Sequence, residues 1–391
     1  MHQIEGKIVI NIHSEIRGEG RVSVCSQRQV HASQVMVGKT VEQTLSLIPL
    51  MFNVCGIAQS RASLLAVQRA INISSDTHHE IARDMLVLVE SAREHLYRIL
   101  LDWPKLFGKS VNPKALPALG QLITDFKNAL FESGDAFSLH SRLQFDAAQL
   151  RSLIDNLDDY LNQHIFQMET ADWLKIRDIE GLNQWTNNND GIAASSVHMI
   201  CEDGWSSQGY SDSSALPPLS TRELIKRFES DQNRHFIEQP DWKGKVYETT
   251  SFIRQSHHPL IGLLKREFHN TLITRWVARL VELARIPQQL SVMRDQLIQS
   301  ESSPLKPVDE QIGLAQVEAA RGRLIHHLKI SDNHISSYQI LAPTEWNFHP
   351  QGLICKSLTN TSTRNPLKLD RLARLLINAI DPCVGYELRI L

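Results

Sequence analysis

Two cysteines stand in short loops that have the frame of a C-x-x-C metal-binding loop with one sulfur missing. Cys55 is followed at the third position by Ala58, and Cys383 is followed there by Tyr386. Cysteine thiolates are soft ligands, which suit soft metal ions. If the fold brings the two loops together, this pattern predicts a cavity in which Cys55 and Cys383 supply two sulfur ligands.

The spacing of apolar residues indicates the helices that must carry these loops. Apolar residues recur at intervals of three and four, which is the pattern of an amphipathic helix. Pro104 and Pro287 are each expected to end a helix. The predicted helices cover 64–71, 80–103, 119–131, 147–166, 269–286 and 367–380.

Strands are predicted where Ile and Val concentrate, at 4–12 and 20–25. A hairpin is predicted at 324–340, with its turn at 331–333. Turn-forming residues indicate a loop-rich segment at 184–220. The expected fold is mainly α with small peripheral β-sheets around a central bundle of long helices, in a single domain 1–391.

Composition excludes several classes of function. The 391 residues include 42% hydrophobic residues and have a net charge of −2, so neither nucleic acid nor an anionic membrane is an expected partner. No apolar run of spanning length and no signal peptide is present, which predicts a cytoplasmic protein. Five scattered cysteines are typical of a reducing compartment. Motifs for nucleotide binding and for triad hydrolysis are absent.

Further segments occur in an order that resembles the large subunit of [NiFe] hydrogenases from end to end. The segment around Glu19 is similar to the family's R-x-E-G-H, that around Arg321 to A-P-R-G-x-L-x-H, and that around Thr344 to P-[ST]-T-W-N. The resemblance implies that Cys55 and Cys383 are metal ligands. It also implies that Glu19 is a proton relay, and that Arg321 and Thr344 bind cyanide ligands of the iron.

The departures from the family pattern concern the metals. In the family, the second cysteine of each loop bridges nickel and iron, and here those positions are Ala58 and Tyr386. Glu42 falls where the family has a magnesium ligand, but Arg389 replaces the histidine that assists it. The resemblance therefore implies a transient Fe(CN)2CO unit, no complete nickel–iron centre and no magnesium.

These implications predict a hydrogenase maturation accessory protein of the HupK/HoxV kind, acting as a non-catalytic scaffold for the iron unit. Its expected partners are the chaperones that deliver the iron–cyanide–carbonyl unit and the hydrogenase large subunit precursor. Two alternatives stay open. One is an oxidoreductase with a mononuclear metal site and Glu19 as proton relay, and the other is a metal-free structural mimic that binds hydrogenase subunits.

Structural roles are also open for the same side chains. Cys55 and Cys383 have the alternatives of ordinary core cysteines or of a disulfide. Glu19 has the alternative of a solvated carboxylate, Arg321 of a structural ion pair, and Thr344 of a local backbone cap. The paired histidines, such as His326-His327, do not indicate zinc, since adjacent residues point apart on a helix or strand.

Overall fold

A computed structural model of the chain describes residues 6–18, 20–28, 30–113, 116–231, 233–299, 301–304, 312–363 and 365–391. The α-helices, in chain order, are α1 (Val41–Met51), α2 (Gly56–Ala70), α3 (Thr77–Tyr97), α4 (Trp103–Leu106), α5 (Pro117–Leu130), α6 (Ala147–Leu161), α7 (Thr170–Trp173), α8 (Ile179–Asn188), α9 (Ile192–Glu202), α10 (Thr221–Ser230), α11 (His235–Glu238), α12 (Ser251–Arg254), α13 (Pro259–Phe268), α14 (Leu272–Gln299), α15 (Pro343–Asn347), α16 (Leu353–Thr359) and α17 (Pro366–Ile380). The strands are β1 (Lys7–Ile12), β2 (Val22–Ser26), β3 (Ser214–Ala215), β4 (Tyr247–Glu248), β5 (Leu314–Ala319), β6 (Gly322–Ser331), β7 (His334–Leu341) and β8 (Gly385–Ile390).

The core surrounds α14, against which α3, α6, α12, α13 and α17 pack. Trp103 stacks on Trp276 with ring centroids 3.9 Å apart, and its indole Nε1 donates to Asn378 Oδ1 at 2.9 Å. Such a ring pair contributes about 0.5–1.5 kcal/mol beyond the burial of its area. The contact joins the start of α4 to α14 and α17, so the helix that leads to Cys383 is fixed on the core.

Three small sheets lie beside the helices. The first has the order β2-β1-β8, and β8 runs parallel to β1 with Ile8 opposite Tyr386. The second is the β5-β6-β7 meander, and the third is the short pair β3-β4. The prediction of a mainly helical chain with small sheets is confirmed. The predicted hairpin 324–340 is β6 and β7, whereas β5 and β8 were not predicted.

The prediction that Pro287 ends its helix is wrong, because α14 continues to Gln299. A proline inside a helix removes one backbone hydrogen bond. The apolar face persists on both sides of it: Ile286, Leu290 and Leu297 are all buried. Burial of these side chains outweighs the missing bond, so the helix passes through the proline.

Two further boundaries differ from expectation. The segment 184–220 contains α9, whose Ala193, Val197 and Ile200 are buried at helical spacing; its serines and neighbouring asparagines concealed that period. The helix expected over 80–103 passes through a π-helical turn at 98–102 into α4, which accepts Pro104 in its first turn. No helix among the described residues is long and apolar enough to cross a membrane.

The turn between β5 and β6 is held rigidly, and it carries Arg321. Arg254 Nη2 donates to the carbonyl oxygen of Ala320 at 2.7 Å, and Asn347 Nδ2 donates to that of Arg321 at 3.1 Å. Gly322 has φ +127°, and a Cβ there would lie 1.8 Å from the carbonyl oxygen of Thr249. Only glycine fits this close approach of two backbone segments.

We expect Gly322→Ala to lower the free energy of unfolding by about 2–4 kcal/mol, because the new methyl group displaces Thr249 and strains the backbone. Gly120→Ala is the matched control. Gly120 is exposed within α5 and has open space at its Cβ position, so alanine there should stabilise the protein by about 0.5–1 kcal/mol. Urea unfolding of both variants measures the difference, and equal effects would contradict the close approach.

Candidate metal-binding cleft

Both loop cysteines open into one cleft of about 1130 Å³. Its wall combines the Cys55 loop with the segment that follows α17. The residues central to its chemistry are Arg28, Cys55, Gln59, Arg98, Asp381 and Cys383. Apolar and charged residues of the surface, among them Leu50, Lys105 and Arg374, line its outer part. The fold therefore brings together two sulfurs that are 328 positions apart (383 − 55).

Cys55 occupies the N-cap of α2, where the backbone N–H groups of the first turn have no partner within the helix. The buried carboxylate of Glu90 takes two of them, Ile57 N at 2.8 Å and Ala58 N at 2.9 Å. Burial raises the pKa of Glu90 to about 7. Ala58, which stands where the family's bridging cysteine would be, is thus held by this backbone hydrogen bond and by burial of its methyl group in the core.

The Cys55 thiol is protonated at neutral pH. Burial raises its pKa to about 12, with smaller contributions from Cys383 and Glu90. Gln59 Nε2 lies 3.7 Å from its sulfur, and the Gln59 side-chain oxygen is 2.8 Å from His326 Nε2. A metal that binds Cys55 must therefore displace a proton from a thiol already set in a fixed environment.

Cys383 lies between α17 and β8 and is bound by Thr344 through two hydrogen bonds. The Thr344 hydroxyl donates to Cys383 Sγ at 3.1 Å and accepts from Cys383 N at 3.3 Å. Tyr386, at the position of the missing second cysteine, is the second residue of β8, pairs with Ile8 of β1 and also lines the cleft. The loop thus holds one sulfur where Thr344 can orient it.

Arg321 is 4% exposed and reaches the same region from the β5–β6 turn. Its Nη2 bonds to Glu94 Oε2 at 3.2 Å, and its Nε lies 3.1 Å from Asp381 Oδ1. Its Nη1 is buried and has no hydrogen-bond partner among the described residues. An unpartnered guanidinium N–H is costly in a buried place, and it is a donor that an anionic ligand could accept from.

Asp381 gathers three arginines at the end of α17. Arg98 Nε approaches Asp381 Oδ1 at 2.7 Å, and Arg279 Nη2 approaches Oδ2 at 3.6 Å, in addition to Arg321. Burial opposes its charge, but the three guanidinium groups hold the pKa of Asp381 well below its usual range. Its φ of 67° is left-handed, a conformation that Asp tolerates. The arginines therefore fix the turn that presents Cys383.

A second ion pair forms part of the cleft wall. Arg28 Nη1 binds Glu345 Oε1 by a short charged hydrogen bond, and both side chains are largely buried. Burial opposes ionisation of Arg28, but Cys383, Glu345 and Cys55 together raise its pKa. The sequence motif offered one signal for this pair, because the family's P-[ST]-T-W-N has threonine where this chain has Glu345.

The structure thus brings together four of the five residues singled out from sequence, Cys55, Cys383, Arg321 and Thr344; Glu19 lies outside the described residues. The partners Arg28, Glu94, Arg98, Arg279 and Asp381 were not predicted as site residues.

The position expected for a magnesium ligand, Glu42, is exposed in the first turn of α1. Arg389 binds Glu387 on β8.

Apart from the two cleft thiols, the described cysteines and histidines form no metal-binding cluster. All five cysteines are free thiols, so Cys55 and Cys383 do not form a disulfide here. His326 bonds to Tyr338 and Gln59, and His327 stacks on Phe228. Among the described residues, no group of three or more His, Cys, Asp or Glu side chains is arranged to hold a metal ion.

Comparison with known proteins identifies what the chain is similar to. Residues 196–385 match the family described as nickel-dependent hydrogenase. The chain is 26% identical to the hydrogenase expression/formation protein HupV of Azotobacter chroococcum mcd 1, covering 92% of this chain and 91% of that protein. It is also 26% identical to the hydrogenase expression/formation protein HoxV of Cupriavidus necator, covering 93% and 91%.

A solved structure shows the fold. The Ni-Fe-Se hydrogenase of D. vulgaris Hildenborough in the as-isolated oxidised state matches with a TM-score of 0.61 at 13% identity, covering 96% of this chain and 93% of that chain. The expected resemblance to a hydrogenase large subunit and its helical bundle is confirmed.

We expect Asp381→Asn to lower the free energy of unfolding by about 3–5 kcal/mol, because Arg279 and Arg321 would lose a buried counter-charge. Asparagine tolerates the same left-handed backbone, so the change isolates the charge. Asp370→Asn, in the half-exposed pair with Arg374, should cost less than about 1 kcal/mol. Urea unfolding compares them, and a similar small loss in both would contradict a central role for Asp381.

We expect iodoacetamide to modify Cys55 at least about 100-fold more slowly than exposed Cys25 at pH 7.5, because burial and the raised pKa leave little Cys55 thiolate. Below pH 12, the Cys55 rate should rise about tenfold for each pH unit. Mass spectrometry of the metal-free protein follows each site. Equal rates at the two cysteines, or a Cys55 rate independent of pH, would contradict this protonation state.

Proposed function

We propose that the chain, whose residues 196–385 match the nickel-dependent hydrogenase family, is a hydrogenase maturation accessory protein. In this proposal its cleft holds an Fe(CN)2CO unit between Cys55 and Cys383 and passes it to the hydrogenase large subunit precursor. The two relatives compared above are each named as hydrogenase expression/formation proteins. The iron unit is cargo here, and the protein acts as its scaffold.

The observation that carries the proposal is the placement of two free thiols on the wall of one cleft, with hydrogen-bond donors nearby. Thr344 donates to Cys383, and Arg321 Nη1 has no partner within the described residues. Two thiolates suit a soft iron centre. Donors such as Arg321 and Thr344 suit the nitrogen ends of cyanide, and groups of this kind orient a bound metal fragment. The residues present therefore fit the unit.

The same residues argue for temporary binding. Only one thiol remains in each of the two loops, because Ala58 and Tyr386 occupy the other positions. Loading also requires loss of the Cys55 proton, whose removal is unfavourable in this buried place. Two sulfurs with a protonation cost bind more weakly than four sulfurs, which suits a scaffold that releases its cargo. We therefore propose that the protein does not itself oxidise hydrogen.

The proposed partners follow from loading and release. Chaperones that deliver the iron–cyanide–carbonyl unit would load the cleft, and the immature large subunit would receive the unit. The cleft wall includes exposed Leu50 and Val54 together with charged residues such as Lys105 and Arg374, and this outer part is where both partners would approach. We propose that loading and release take place in the cytoplasm.

Infrared spectroscopy tests the proposal. The protein is purified without oxygen from a host that co-expresses its maturation genes, and spectra are recorded in the region of metal-bound CO and CN stretches. We expect bands from the wild type, no bands from Cys55→Ser or Cys383→Ser, and unchanged bands from Cys201→Ser. Cys201 is the matched control because it is exposed and outside the lining of the cleft.

The outcomes distinguish the proposed function from its two alternatives. Bands that survive both cleft substitutions would place the iron elsewhere and overturn the assignment of the two ligands. A silent spectrum from protein grown with ample iron would overturn the iron-holding role and favour a metal-free mimic that binds hydrogenase subunits. Oxidation of hydrogen by the pure protein would instead support the oxidoreductase alternative.

A further inference from the structure

We propose that Arg28 is a specificity-determining residue of the cleft, which favours a metal that already carries anionic ligands over a bare divalent cation. Arg28 lines the cleft together with Cys55 and Cys383. This inference rests on the proposed function, because it concerns which metal species the two thiols accept.

Arg28 lines the cleft, whereas its carboxylate partner does not. A smaller pocket of about 180 Å³ lies behind the cleft wall, and Arg28 lines both spaces. Glu345, its partner, lines the smaller pocket and is not part of the cleft wall. The cleft wall therefore carries the positive charge of Arg28 without the Glu345 carboxylate that neutralises it.

Glu345 fixes this arrangement. Glu345 is 6% exposed, its Oε1 accepts from Arg28 Nη1, and its Oε2 has no hydrogen-bond partner among the described residues. A buried carboxylate is costly unless it is paired. Glu345 immediately follows Thr344, whose hydroxyl is 3.1 Å from Cys383 Sγ. The ion pair is therefore anchored to the same short helix that contacts one of the sulfurs.

The other central arginines are already paired with carboxylates. Arg321 faces Glu94 and Asp381, and Arg98 and Arg279 also face Asp381. Among these four arginines, Arg28 is the one with no described carboxylate partner on the cleft wall. Its charge is therefore less compensated within the cleft than the charges of the other three.

Simple electrostatics gives the selectivity. A bare divalent ion that replaces the two thiol protons forms a neutral assembly with the thiolates, so Arg28 neither attracts nor repels that assembly strongly. An iron(II) that carries two cyanides has no net charge before it meets the thiolates. Once two thiolates bind it, the assembly is negative, and Arg28 attracts it. In both cases the thiol protons leave to solvent, so protonation does not distinguish the two metals.

The test uses the purified, metal-free full-length protein and Cd²⁺ alone, followed by thiolate-to-metal charge-transfer absorbance. Arg28→Met combined with Glu345→Gln removes the pair without leaving a buried charge. It should bind Cd²⁺ within about twofold of wild type and should lose most of the CO and CN bands of the loaded protein. Arg28→Lys keeps the charge and should behave as wild type. Arg227→Met, in a half-exposed pair with Asp241, is the matched control and should change neither property.

A single variant gives the opposite sign. Glu345→Gln leaves the Arg28 charge uncompensated, so it should keep or strengthen the CO and CN bands and bind Cd²⁺ as wild type does; it also tests the proposal if the double variant does not fold. Wild-type CO and CN bands in the double variant, or loss of the bands in Glu345→Gln, with Cd²⁺ binding still lost in Cys55→Ser, would overturn the role of Arg28 alone. Cd²⁺ binding that is unchanged in Cys55→Ser and Cys383→Ser would instead overturn the thiol site and with it this inference.

Discussion

The Asp381 carboxylate is the contact on which the cleft depends. It joins Arg98 at the end of α3, Arg279 of α14 and Arg321 of the β5–β6 turn. Each partner belongs to a different part of the core, and Cys383 follows two residues later. Buried ions are tolerated when they are paired and hydrogen-bonded. Protein charges therefore set the position of the turn that presents Cys383.

The sequence alone was sufficient to predict elements whose local pattern repeats and candidate residues that stand in a short motif. Apolar periodicity predicted α5, α6 and α17 closely, and β-branched runs predicted β1 and the β6–β7 hairpin. The resemblance of the two cysteine loops to those of the hydrogenase large subunit implied that Cys55 and Cys383 share a site, and both line the cleft. Arg321 and Thr344 were named as candidates through their motifs, since each neighbours recognisable residues.

Contacts between distant residues could not be predicted. Arg28 and Glu345 are 317 positions apart, and no local pattern connects an arginine after a short strand to a carboxylate in a helix. The same holds for Glu94 with Arg321, 227 positions apart. Pro287 shows the converse limit, because a local rule for ending helices was overridden by burial on both sides of the residue. Pairing partners are decided by the tertiary fold, which local propensity does not encode.

The pairing of β1 with β8 has a consequence for the order of events during synthesis. Lys7 bonds to Glu387 across 380 positions, so β1 leaves the ribosome long before its partner exists. Closing such a long loop is slow compared with forming local helices. The α2 and α3 helices, with Cys55 already in place, can form while the second sulfur is still untranslated. The nascent chain therefore presents an incomplete cleft until β8 has been made.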